Sequence, residues 1–164
     1  MAVDTSVIGK ATSASVVAVE RGPVANFARA VKDESRVYQD PAVAAAAGLD
    51  GIPAPPTFTF AAPYWGAYAE LQKGVTKVEG NPMFEIIGKL MASGGLVLHG
   101  EQEFVYHRPA VVGDVLVGKG TCVDAYERES KGKVMTFVVS ETVWSDQKTG
   151  DPVVTERFNL IHRR

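Results

Sequence analysis

Apolar and polar positions along the chain change rhythm twice. From Ser13 to Glu20 they alternate around Val16, Val17 and Val19, which predicts a first strand. After the Gly22-Pro23 break, Val24, Phe27, Ala28 and Val31 recur at helical spacing, predicting an amphipathic helix that ends near Lys32. A polar loop, DESRVYQDP, leads to Asp40-Pro41, a cap and first-turn pair for a short alanine-rich helix stopped by Gly48. The stretch Ile52 to Gln72, IPAPPTFTFAAPYWGAYAELQ, is then apolar nearly all round. Pro56 suits the first turn of a helix there, and Pro63 should kink or split it into two pieces. A helix without a broad polar face is expected to be buried. Asn81-Pro82 marks another helix start, but Met83 to Met91 reads equally as helix or irregular strand.

Beyond Ser93-Gly94-Gly95 the rhythm becomes that of strands. Four runs rich in β-branched and aromatic residues, 96–107, 114–127, 133–144 and 152–162, are separated by turn chemistry. Consecutive long strands connect most simply as an antiparallel meander. Strand, helices, then four strands describe an α+β domain with one sheet wrapping a buried helix. The 164 residues suit a single domain, 1–164.

Composition narrows the picture further. Apolar residues make up 46% and charged residues 22%, ordinary for a globular protein. A net charge of −2 gives no broad attraction to nucleic acid or to an anionic membrane surface. The apolar stretch is too interrupted by proline and glycine to read as a membrane span. The start of the chain lacks a basic segment followed by an apolar core, so no signal peptide is expected. One cysteine, Cys122, excludes an internal disulfide and fits a reducing cytoplasm. Set in a strand without an adjacent base, it reads as a small apolar core residue.

Two separated segments, in order, resemble a known family. FARAVKDESRVYQDPAVAAAAGLDGIPAPPTF resembles the N-terminal type of MaoC-like dehydratase domain, and EQEFVYHRPAVVGDVL resembles its later signature, an aromatic strand followed by HRP and GD. The resemblance runs from about Val16 to the last strand. It implies the hot-dog fold, a curved antiparallel sheet around a long central helix. It implies work on acyl thioesters carried by coenzyme A or acyl carrier protein: loss of water from a 3-hydroxyacyl group, or its addition to a 2-enoyl group. The chain also resembles the non-catalytic subunits of mycobacterial-type hydroxyacyl carrier-protein dehydratases. In those, a partner hot-dog chain supplies the catalytic pair; whether the partner here is a second copy or a different chain stays open.

Hydration of an enoyl thioester needs a group to handle the proton of the attacking water and donors for the developing enolate oxygen. Catalytic members of the resembled superfamily carry the first as Asp-x-Asn-Pro-x-His. Here the aspartate is Asp33, but Ser35 and Arg36 replace the Asn-Pro pair, and Tyr38 stands where the histidine would be. A phenol titrating near ~10 is a poor general base at neutral pH. Asp33 and Tyr38 therefore read as a degenerate catalytic loop or as an ordinary turn that ends a helix. His99, after the glycine-rich break, is the candidate for a displaced base, against the plainer reading of a half-buried strand histidine. His107 is expected at a sheet rim, and His162 in a solvated basic tail. Pro56, Thr57, Phe58 and Trp65 are candidate acyl-binding residues; Thr57 reads equally as a first-turn residue satisfied locally, and most of the aromatic stripe as core. No histidines sit at metal-ligand spacing, so neither a metal nor a cofactor is expected.

Overall fold

A computed structural model describes residues 3–130 and 132–164. Strand β1 (Ala11–Ala18) opens the sheet after a short turn of 3-10 helix, and α1 (Arg21–Ala30) follows, burying Val24 and Ala28. Lys32 takes a left-handed φ of 59°, and the Asp33 amide donates back to the Ala28 carbonyl at 2.9 Å. That closing turn stops the helix and fixes where the Asp33 loop begins. Asp40 caps α2 (Pro41–Ala46), accepting from the Ala42 and Val43 amides. Gly48, at φ 79°, ends it.

The apolar stretch splits at Pro63, as expected, into α3 (Phe58–Ala61) and α4 (Pro63–Gly66). In two other respects the reading of this stretch is corrected. Helix begins two residues after Pro56 and stops at Gly66, with turns carrying the chain past Tyr68 to Gly74. Nor is it buried all round. Phe58, Thr59, Ala62 and Gly66 face the sheet, while Phe60, Trp65 and Tyr68 are each exposed and Tyr64 is 84% exposed. Five strands curve over one side of these short helices; the other side of the aromatic stripe is uncovered in the isolated chain.

The segment left open between helix and strand is α5 (Pro82–Ala92), the longest helix among the described residues. Asn81 caps it, accepting from the Met83 amide at 2.9 Å, and Met83 and Ile86 are buried beneath it. Strands β2 (Leu96–Tyr106), β3 (Val115–Ser130), β4 (Lys133–Asp146) and β5 (Pro152–Arg163) complete one antiparallel sheet of order β1-β3-β4-β5-β2. This corrects the simple meander: β3, β4 and β5 follow one another, but β2 lies at the far edge beside β5. The 107–114 connection must therefore cross the end of the sheet. Arg108 pins that crossing, donating to Asp114 at 2.7 and 3.3 Å and to Asp146 at 2.8 Å. Multiple charge-assisted hydrogen bonds from one planar guanidinium hold a geometry that one bond could not.

Helices lie on one face of the sheet, over two apolar clusters. The first gathers Val17, Val24, Phe58, Leu116, Trp144 and Val154, among others, beneath α1 and α3–α4. The second gathers Val7, Met83, Ile86, Cys122, Ala125 and Val138 beneath α5. A fully buried Phe or Leu contributes roughly 1.5–3 kcal/mol relative to exposure, so side chains such as Phe58 and Leu116 dominate the packing. Cys122 is among them, fully buried, and burial pushes its thiol up, as suits a core residue.

Candidate functional site

The lead-in to α3 is laced to the β2–β3 crossing. The Ala54 amide donates to the Ala110 carbonyl at 2.7 Å, and the Val112 amide to that of Ile52 at 2.8 Å. Between these segments opens a pocket of about 330 Å³, lined by Ala54–Pro56, Phe58 and Thr59 on one wall and by Tyr106–Ala110 and Val154 on the other. That volume is at the lower end for small-molecule sites, and the lining is apolar with a few polar groups set into it.

Those polar groups are held in unusual ways. Thr57 adopts φ 68°, a left-handed conformation that a β-branched residue rarely takes. Its amide donates to the Tyr106 hydroxyl at 3.0 Å. Strain of this kind persists only where surrounding contacts hold it, and it clusters at working sites. Thr59, 3% exposed, donates its hydroxyl to Glu156 Oε2 at 3.0 Å. Burial raises the Glu156 carboxyl above its ordinary value, partly offset by Trp144 and Thr59. The Trp144 indole N–H faces that carboxyl but stops short of hydrogen-bond geometry and, among the described residues, has no other partner. His107 Nε2 lies 3.0 Å from Thr155 Oγ1.

The structure brings some of the sequence candidates together and leaves others apart. Pro56 and Phe58 line the pocket, and Thr57 serves it through its amide. Trp65 stands away from it, packed edge-on against Phe27 and tilted against Phe58. Asp33 is half-buried, accepting from the Ser35 amide at 3.0 Å. Tyr38 packs against the first core, and burial, with the Asp33 carboxylate beside it, pushes its phenol up. A phenol moved in that direction is a still poorer base at neutral pH. His99 is exposed between the rings of Phe60 and Phe158, and among the described residues no hydrogen bond or ion pair joins it to Asp33. His162, expected in solvent, is instead 4% exposed, with Nε2 2.9 Å from the Gly94 carbonyl, because the last strand runs on beneath α5. The histidine that reaches the pocket is His107. Its place in the HRP run marks the rim, and the rim is where the pocket opens. Among the described residues no three His, Cys, Asp or Glu side chains form a metal-ligand set. Among the described residues no helix is long and apolar enough to cross a membrane.

Comparison with known proteins decides the family. The model of the FAS1-like dehydratase domain region matches residues 6–156. The chain belongs to this dehydratase-region family. A UPF0336 protein of Streptomyces avermitilis is 34% identical over 164 residues, spanning 99% of this chain and 97% of its own length. Among solved structures, the ChsH1–ChsH2 complex from Mycobacterium tuberculosis contains a chain that superposes with a TM-score of 0.73 at 22% identity, covering 92% of this chain and 83% of that one. The truncated HadBC (3R-hydroxyacyl-ACP dehydratase) complex from the same organism gives 0.66 at 23% identity, covering 94% and 96%. At these identities the likeness establishes the fold, which is the α+β hot-dog fold.

Proposed function

We propose that the chain is a subunit of a 3-hydroxyacyl-thioester dehydratase, or enoyl-thioester hydratase, acting on acyl groups carried by coenzyme A or acyl carrier protein. It works beside a partner hot-dog chain that supplies the catalytic histidine. The observation that carries this reading is the pocket at the strained start of α3, set in a dehydratase-region chain whose own loop offers only Asp33 and a phenol pushed up in pKa. Two of the solved neighbours, ChsH1–ChsH2 and HadBC, are named as complexes, which supports a partner of the same fold. The sheet supports it too: edge strand β2 leaves Leu96, Leu98, Val105 and Tyr106 exposed toward its two ends, on either side of Glu101 and Glu103. Pairing with another sheet is the usual fate of such an edge.

Hydration of crotonyl-coenzyme A tests the proposal, followed for the chain alone and after mixing with a hot-dog chain carrying Asp-x-Asn-Pro-x-His. Turnover only in the mixture supports it. A second reading, with the base in this chain, is favoured by His107 on the pocket wall. Turnover by the chain alone that is lost in His107→Gln selects it. Acyl-thioester binding without turnover under any pairing leaves a binding module instead.

A further inference from the structure

The two oxygens that meet the pocket differ in what they have left to offer. Tyr106 accepts the Thr57 amide proton at 3.0 Å, and among the described residues its own hydroxyl proton goes to no protein acceptor. A hydroxyl that already accepts a hydrogen bond is a stronger donor. Thr59 is the reverse: its proton goes to Glu156 at 3.0 Å, so its lone pairs remain. Both side chains line the same pocket. One wall therefore presents a donor and the other, more deeply buried, an acceptor.

We infer that this pair reads the two oxygens of a 3-hydroxyacyl thioester: the Tyr106 hydroxyl donates to the thioester carbonyl, and Thr59, its proton held by Glu156, accepts from the 3-hydroxyl. Tyr106 and Thr59 are binding residues, and Glu156 positions Thr59. The assignment rests on the acyl-thioester reading above and adds the hydroxylated over the unsubstituted acyl group as the preferred ligand. It follows from the cost of unmade hydrogen bonds. A saturated acyl chain would leave the buried Thr59 oxygen facing carbon, and a hydrogen bond lost in this way weakens binding about tenfold.

Calorimetric titration of the full chain with 3-hydroxybutyryl-coenzyme A and with butyryl-coenzyme A tests it. The unaltered chain should prefer the hydroxylated ligand about tenfold. Thr59→Val should bring the ratio to about one, while Thr59→Ser, which keeps the hydroxyl, should retain it. Tyr106→Phe should weaken both ligands about five- to tenfold and leave the ratio in place. Thermal unfolding of each variant separates a lost contact from a lost fold. Equal affinity of the unaltered chain for the two ligands, or a preference that survives Thr59→Val, overturns the assignment and leaves the acyl-thioester reading standing. Binding of neither ligand, by the chain alone or after mixing with the hot-dog chain used in the hydration assay, overturns both.

Discussion

Glu156 is a carboxyl set in the helix-covered face of β5, opposite Thr142 on one side and Phe104 on the other. Among the described residues Thr59 is its hydrogen-bond donor, and Trp144 approaches nearby. Burial favours the protonated form, so its pKa in the folded chain lies above the ordinary 4.5. The stability linked to that proton is complete below the unfolded pKa and is lost as pH rises through the folded one. Glu156→Gln keeps an acceptor for Thr59 and removes the charge. Its thermal midpoint relative to the unaltered chain should therefore improve between about pH 4 and about pH 8. Unfolding curves that keep the same separation at both ends of that range would contradict a carboxyl whose pKa burial raises. Thr57 carries a different cost, in its backbone. Thr57→Gly relieves roughly 1–2 kcal/mol of left-handed strain against roughly 0.5–1 kcal/mol of added freedom in the unfolded chain, and keeps the amide that serves Tyr106. Chemical denaturation should find it no less stable than the parent.

Elements were legible in the sequence where their causes are local. Asp40 and Asn81 mark helix starts because their side chains bond to amides two or three residues on, and Pro63 splits the apolar stretch because it cannot continue a helix ladder. The strands were legible from their β-branched runs and turns. What was not legible depends on neighbours distant in sequence. Strand β2 sits beside β5 because the crossing is tied down by Arg108, Asp114 and Asp146, which span 38 residues from Arg108 to Asp146. The same crossing brings His107 to the pocket, so a histidine read as rim became a wall residue. The need for glycine at the last residue of α4 is tertiary as well: a Cβ added to Gly66 would lie 2.3 Å from the Ala18 carbonyl oxygen, against the backbone of β1. Gly66→Ala should therefore cost about 1–3 kcal/mol, since backbone cannot swing aside as a side chain would. Gly88, inside α5, has nothing within 4 Å of such a Cβ. Gly88→Ala should gain about 0.5–1 kcal/mol from helix propensity. Denaturant midpoints of the two variants, moving in opposite directions, check both.

The sheet as a whole has two edges, and the chain treats them differently. At β1, the Gln72 side chain lies along the strand like a short extra one, accepting from the Val16 amide at 3.1 Å and donating to the Val16 carbonyl at 2.6 Å. Helix α4 closes the end of the same strand at Ala18. At β2, among the described residues, no side chain clamps the outer backbone in this way: Leu98, Val105 and Tyr106 are 39%, 48% and 47% exposed toward its two ends, with the exposed Glu101 and Glu103 between them, and Phe60 of α3 lies exposed against His99. An edge strand with exposed apolar ends and no clamp on its backbone invites another strand more readily than a clamped one. Association should therefore proceed through β2 and end there, giving a pair rather than a growing chain of sheets. Val105→Lys places a charge at the apolar end of that edge, beyond Glu103, and should abolish association with the proposed hot-dog partner, or between copies, without lowering the thermal midpoint of the isolated chain. Gln72→Leu removes the clamp on β1 and should add species larger than a pair. Light scattering of both variants reads the masses directly; a Val105→Lys chain that still pairs at full strength would place the contact on another surface.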